Sequence, residues 1–494
     1  MGIWSRKGVE TCLAEAFGDA GSRFKRTLGI IELTAFGVGS TIGAGIFSMT
    51  GEAAAHYAGP AVSLSFLAAS LCCFFAGLCY AEFAAMVPIS GSAYSYAYVT
   101  LGELVAWLIG WCLVLEWLLA GSVVAVSWSG YSTAALHDLG VHLPRAISQA
   151  PVLFDANTYH FSATGTWFDL PAFAVVLGCT ALVLSGMRSS AIVNAIIVSA
   201  KLLALALLIG VGWQFVHPAN WHPFLPPNEG RFGLFGWSGV ARGAGTLFFA
   251  YIGFDGVSTL AEDARNPQRT VPWSLFLSLL ICGVFYVGVS IVITGLASYR
   301  TLGVTDPLYF ALAGTPGALG FVRPLVAVVA IVGLVSVVLA SIIGQVRIFH
   351  SMTRDGLVPP IFGRLSGPKR IAYGSTLITG LAMAAIAGIA PLEVLGELVS
   401  IGTLLAFAIV CTGILILRYV APDARRPFRT PWVPLVPALG ALSSLALMAS
   451  LPAGTWVRLV AWLALGSAVY ALYGRRHSRL RTPGTVMPRP SALP

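Results

Sequence analysis

Gly37-Val-Gly-Ser-Thr-Ile-Gly-Ala-Gly-Ile-Phe47 lies in the middle of the first long apolar run of the chain. Four glycines (Gly37, Gly39, Gly43, Gly45) fall within it, and each costs a helix roughly 1 kcal/mol against Ala. Inside a bilayer an interrupted helix also strands N–H and C=O groups away from water. A break therefore persists only where it lines a cavity or is buried in protein. Bare N–H groups there suit a carboxylate, and bare C=O groups suit an ammonium or a cation. Glycine also serves plain helix packing in membranes, but four exceed what one packing face needs. The stretch reads as half of a binding site.

The surrounding composition is that of a polytopic membrane protein. The 494 residues are 57% hydrophobic and only 10% charged, against about 25% charged in a soluble domain; the mean hydropathy is +0.83. Roughly twelve stretches reach the ~20 residues that a bilayer requires. They are 29–50, 61–87, 102–132, 170–186, 190–216, 238–260, 273–297, 323–347, 372–390, 394–418, 432–450 and 456–473. The third is long enough to tilt or to project. Around them lie an N-terminal tail (1–28), a first half (29–216), a second half (238–418), two further spans (432–473) and a C-terminal tail (474–494).

Basic residues gather in the two tails and in alternate loops. Arg6, Lys7, Arg23, Lys25 and Arg26 precede span 1, and Arg475, Arg476, Arg479, Arg481 and Arg489 follow span 12. Arg347, Arg354, Arg364, Lys369 and Arg370 follow span 8, and Arg418, Arg425, Arg426 and Arg429 follow span 10. Roughly 22 basic residues face one side and about 6 the other, which places both termini in the cytoplasm by the positive-inside rule. The net charge of +9 is thereby explained, and its dispersal over short loops argues against a nucleic-acid partner. The polar tail shows no signal-peptide pattern. The eight cysteines lie almost entirely within spans, and no disulfide framework or CxxC metal pattern is present.

Working outward, span 2 runs into Pro88-Ile-Ser-Gly-Ser-Ala-Tyr94, span 3 holds Glu116, and span 5 holds Lys201. Span 6 reads Phe248-Phe-Ala-Tyr-Ile-Gly-Phe-Asp-Gly256, with Gly253 and Gly256 flanking Asp255. About 210 residues, or five spans, separate Gly43 from Gly253. Two glycine-broken spans at corresponding places of two five-span halves point to an inverted-repeat transporter with its site at the interface. The repeat is inferred from pattern, since the halves share no visible identity. Spans 11 and 12 carry no mid-span charge and read as peripheral scaffold.

The motifs Gly39–Phe47, Ala81–Tyr94, Gly110–Trp117, Phe248–Pro267, Gly344–Pro359 and Leu398–Thr403, in this order, resemble the amino acid–polyamine–organocation superfamily. Within it they resemble the cationic amino acid transporter family and its bacterial relatives. The resemblance covers spans 1 to 10. It implies an all-α membrane protein with a five-plus-five inverted-repeat (LeuT-like) core, broken helices 1 and 6, two peripheral helices, and secondary active transport of an L-amino acid.

On that reading Thr41, Gly43, Ala44 and Gly45 offer backbone groups to the substrate's carboxylate and amine. Phe249, Ala250 and Ile252 complete the site from span 6, and Phe249 or Tyr251 closes over it. Lys201 is the candidate for coupling. A charged lysine at mid-bilayer costs at least ~2.5 kcal/mol, so holding its proton in one conformation and releasing it in another is what coupling would use. In the proton-coupled relatives a span-5 lysine takes the place of the sodium ion between spans 1 and 8, and Lys201 matches that position. The bland alternative, a lysine snorkelling to the interface, fits its near-central place poorly. Glu116 and Asp255 are the other mid-membrane acids, either proton relays or structural hydrogen-bond partners. Glu32, Glu82, Arg242, Glu262 and Glu397 lie nearer span ends and read as gating or structural ion pairs. Leu339 and Ser341 of span 8 are pocket candidates, a small residue there leaving room for a long side chain.

No HExxH, GxSxG or acidic metal cluster appears, so enzyme chemistry is not expected. A channel would require rings of pore residues. An exchanger, an exporter or a non-transporting sensor in the same fold remain the competing readings. The coupling ion would be the proton, with no metal or organic cofactor. Expected partners are the amino acid, membrane lipids and a small accessory membrane subunit, in a bacterial inner (plasma) membrane. Arg, Lys and ornithine on one side and small neutral amino acids on the other are both open as cargo.

Overall fold

A computed structural model describes residues 6–7, 28–87, 91–155, 160–186, 191–313, 321–366 and 371–480. Arg23, Lys25, Arg26, Lys369, Arg370, Arg481, Arg489, Cys12, the turn 88–90 and the side chain of Glu262 lie outside the described residues. Helices occupy the apolar stretches read from sequence. They are α1 (Ile30–Thr41), α2 (Thr50–Ala53), α3 (Val62–Met86), α4 (Ser92–Thr100), α5 (Glu103–Asp138), α6 (Leu170–Leu184), α7 (Ala191–Gly212) and α8 (Gly236–Leu247) in the first part. The rest are α9 (Gly256–Thr259), α10 (Pro267–Leu296), α11 (Pro307–Ala313), α12 (Val322–Arg354), α13 (Tyr373–Ile389), α14 (Leu392–Val420), α15 (Leu435–Ser450) and α16 (Ala453–Val469). By length and composition 7 helical runs among the described residues can each cross a membrane, and Leu170–Leu184, Tyr373–Ile389 and Leu435–Ser450 are shorter apolar helices. The chain is a mostly helical membrane protein.

One departure from an all-helical chain is a small hairpin. Val152–Asp155 (β1) pairs antiparallel with His160–Ala163 (β2), inside the long loop after α5. Its strands are too short for a periodicity signal in sequence. Asp169 then starts α6 as its N-cap: its Oδ1 accepts from Ala172 N at 3.0 Å and from Ser129 Oγ of α5 at 2.7 Å. One carboxylate thus closes a helix end and pins the loop to the core.

The long helix α5, of 36 residues, is the axis of the packing. It lies against α12, α14 and α13, while α3 packs along α10. The periphery is tied to this core by indole hydrogen bonds: Trp107 Nε1 donates to Gly466 O at 2.8 Å, and Trp111 Nε1 to Trp462 O at 2.9 Å. The outward faces remain apolar, with Leu442, Val457 and Val460 all well exposed. Such a surface is an aggregation liability in water and a normal boundary against lipid tails.

Charged side chains near span ends are paired. Glu82 is fully buried and accepts from Arg418 Nη2 at 2.8 Å and Thr430 N at 2.7 Å, with Arg426 Nε at 3.2 Å. At the opposite end Arg242 of α8 meets Glu397 of α14 at 3.3 Å and stacks its guanidinium 4.4 Å from the Tyr57 ring centroid. Thr455 Oγ1 donates to the other Glu397 oxygen at 2.7 Å. Breaking a buried ion pair by removing one partner costs about 3–5 kcal/mol. Glu397→Ala is therefore expected to lower the thermal unfolding temperature in detergent sharply, and Glu397→Gln to lower it less. Equal unfolding temperatures for Glu397→Ala and the parent chain would refute this role.

Candidate functional site

The first break follows from its glycines. α1 ends at Thr41, Ile42 leaves helical geometry with ψ 89°, and a wider helical turn restarts at Gly45–Met49. The carbonyls at the end of α1 and the N–H groups at the start of the next segment lose intrahelical partners. The second break runs from the tight turn Phe248–Tyr251 through extended Ile252 to Gly253, at φ +111°. Only glycine adopts that φ without strain, and α9 starts just beyond it.

The two breaks touch. Ser40 Oγ lies 3.0 Å from Gly253 O. A Cβ at Gly45 would overlap the backbone of Ala250, so Gly45 is required by close approach. The Tyr286 hydroxyl of α10 stands 2.8 Å from Thr41 O and 2.8 Å from Ala250 O. It holds a single hydrogen, which it donates to one carbonyl at a time, and so ties both breaks to α10.

Between the breaks, α5 and α12 lies a narrow cleft, with about 370 Å³ of non-atom space that includes its open mouth. Of the residues singled out from sequence, Thr41, Gly43, Ala44, Gly45, Phe249, Ile252 and Ser341 line it. Ala250 sits behind the wall, against Gly45. Leu339 does not line the cleft and is partly buried on another face of α12. Two residues along a helix turn a side chain by about 200°, so Leu339 and Ser341 cannot share a face; Val337 and Ala340 join Ser341 instead. Tyr251 points away and donates to Phe66 O at 3.1 Å. No lining residue among those described carries a charge.

Lys201 of α7 is fully buried beside this cleft. Its Nζ donates to Gly39 O at 2.9 Å and Ile42 O at 2.8 Å, and lies 3.4 Å from Ser336 Oγ of α12. The ammonium thus sits between the end of α1 and α12, on two carbonyls that the break leaves open. Its stem crosses Gly333, where a Cβ would collide with Lys201 Cε. The acids stand apart from it. Glu116 is buried and accepts from Thr403 Oγ1 at 2.8 Å. Asp255 is buried below the second break, its carboxylate facing the backbone at Gly253 and Gly256. Neither acid bonds Lys201.

Sequence reading missed Trp117, Ala120 and Val124 of α5, Val337 and Ala340 of α12, and the supporting Tyr286, Ser336 and Gly333. The spacing 117, 120, 124 is a helical face that carried the signal, once α5 was known to border the break.

The family described as amino acid permease matches residues 28–468. The methylthioribose transporter of Bacillus subtilis (strain 168) is 42% identical over 480 residues, 97% of this chain and 99% of the relative. The branched-chain amino acid permease BcaP of the same organism is 40% identical, with the same coverage. The vacuolar cationic amino acid transporter 4 of Arabidopsis thaliana is 36% identical over 82% of this chain and 65% of its own length. These relatives are named as transporters and permeases, not enzymes. The chain belongs to the amino acid permease family of the amino acid–polyamine–organocation superfamily.

Proposed function

We propose that this permease is a proton-coupled amino-acid symporter working by alternating access, with both termini cytoplasmic in a bacterial inner membrane. The observation that carries the reading is the Lys201 ammonium on Gly39 O and Ile42 O. A fixed cation stands where the carbonyls of a broken helix invite one, and it can gain or lose a proton as the surroundings change. The two broken spans then lie at equivalent places in two inverted five-span halves, α1 to α7 and α8 to α14. Glu116 and Asp255 relay protons in this scheme.

The carboxylate of the substrate would take the N–H groups at Gly43–Gly45, and its ammonium the carbonyls near Phe249–Ile252. The side chain would lie toward Ala120, Val124, Val337 and Ala340. That wall is apolar and uncharged, which favours a neutral, small or branched side chain over a cationic one, because a buried guanidinium or ammonium would lack a partner. The branched-chain relative supports the same class. Methylthioribose, a neutral thioether sugar named for another relative, is the competing cargo. An exchanger, an exporter or a sensor of the same fold is the mechanistic alternative.

Uptake of labelled leucine, alanine, arginine and methylthioribose into proteoliposomes tests the proposal, with an inward proton gradient and then a sodium gradient. Proton-driven accumulation of leucine or alanine is the expected result. Sodium-driven uptake, or accumulation of methylthioribose alone, would overturn it. Binding without any flux would identify a sensor.

A further inference from the structure

Trp117 lies on the face of α5 that borders the cleft, one turn before Ala120 and on the side of the α5 N-terminus. Its ring rests on two bare backbones. A Cβ at Gly344 of α12 would come within 2.8 Å of the ring, and one at Gly256 of α9 within 3.3 Å. Both glycines sit just past the cleft-lining positions of their own elements, Ser341 and Gly253. The indole therefore spans the floor of the cleft from α9 to α12, and each contact is ring on glycine rather than interlocked side chains.

What lies next to this floor is polar. Glu116 adjoins Trp117 in sequence, Asp255 adjoins Gly256, and Gln345 adjoins Gly344. Glu116 Oε1, Gln345 Oε1 and the Trp117 indole nitrogen are buried with no hydrogen-bond partner among the described residues, and the buried Asp255 carboxylate faces the backbone at Gly253 and Gly256. The hydroxyl of Tyr80 is likewise unpartnered among the described residues; its ring lies 5.9 Å from that of Tyr96 and 6.2 Å from that of Phe254. Buried polar atoms are rarely left without partners. A run of them behind one aromatic ring marks a passage that is closed here and takes up water when it opens.

We propose that Trp117 is the inner gate of the cleft: its indole, wedged against Gly256 and Gly344, separates the bound substrate from the cytoplasmic exit. The inference rests on the transport reading for its direction, with the α5 N-terminus cytoplasmic. Release then needs the ring to slide off the glycine surfaces as α9 or α12 moves, which lets water reach Asp255, Glu116 and Gln345. Trp117 is a gating residue and takes no part in holding the proton.

The test uses a reporter thiol, Ala340→Cys, in the cleft wall of the full chain, labelled by a membrane-impermeant maleimide in inside-out vesicles. Labelling of the parent chain without the reporter is subtracted; the described native cysteines are all buried. With Trp117→Ala the reporter is expected to label roughly 10-fold faster from the cytoplasmic face, following the larger open population. Trp117→Phe, which keeps a ring beside Gly344 but lacks the outer indole atoms that rest on Gly256, should label at a rate between the parent and Trp117→Ala. Equal rates for Trp117→Ala and the parent would overturn the gate. Where Trp117→Ala does not fold, Gly344→Ala displaces the ring instead, and an unchanged rate in that variant would overturn it equally. Added leucine should slow labelling of the Ala340→Cys reporter in the otherwise unaltered chain. Failure of leucine to protect refutes the substrate reading alone, because the Trp117 comparison needs no flux and no bound amino acid.

Discussion

Lys201→Met is expected to abolish proton-driven accumulation of substrate while leaving a folded protein. Methionine has nearly the length and flexibility of lysine but neither its charge nor its donors. Gly39 O and Ile42 O then lose the ammonium at 2.9 and 2.8 Å, in a place sealed from water. Each buried acceptor without a donor costs about 1–3 kcal/mol. Two of them, at the middle of that range, weaken the end of α1, against which the substrate binds, by about 4 kcal/mol, or about 1,000-fold in affinity. Gradient coupling fails outright, because no other titratable side chain among the described residues bonds Gly39 O or Ile42 O. The measurement is initial uptake at fixed membrane potential over a series of external pH values. A wild-type profile that becomes flat and near background in Lys201→Met is the expected outcome. Unchanged proton-driven uptake would move the coupling role to Glu116 and Asp255. Sodium-driven uptake by the parent chain would remove the premise altogether.

Gly45→Ala is expected to be almost as damaging, by a different route. One methyl group placed at Gly45 overlaps the backbone of Ala250. Overpacking a core costs roughly 1–3 kcal/mol where side chains can shift. Here the neighbour is main chain, held in turn by the Tyr286 hydroxyl at 2.8 Å, so the upper end applies and affinity falls by about 100-fold. The control is Gly402→Ala, since a Cβ at Gly402 meets nothing within 4 Å. Ligand-induced thermal stabilisation measures the loss directly. Equal stabilisation by substrate in Gly45→Ala and Gly402→Ala would show that the two breaks do not need their close contact.

Both predictions depend on places where the backbone is exposed, and these are also what the sequence announced most clearly. Glycine clusters at 37–45 and 253–256 are legible because a span of ~20 apolar residues has few reasons to forgo helix propensity. Lys201 was legible because nothing around it in the sequence is polar enough to account for a charge. Hydrophobic run length likewise located the helices, with shifts mainly at the ends of α5, α10 and α12, where helices extend beyond the apolar core.

Composition, glycine spacing and isolated charges thus determined a polytopic membrane protein with two broken spans and a mid-span lysine, and the family resemblance added the permease reading and the place of that lysine beside the first break. Tertiary structure alone decided which faces met. That Val337, Ala340 and Ser341 line the cleft while Leu339 does not is a matter of helix rotation. Every position of α12 there is apolar or small, and the hydropathy pattern of a buried span carries no phase. That Arg242 pairs with Glu397 across 155 residues, and that Trp117 lies on Gly256 and Gly344, follows from packing between elements distant in sequence. A glycine records that something comes close, and only the folded chain says what.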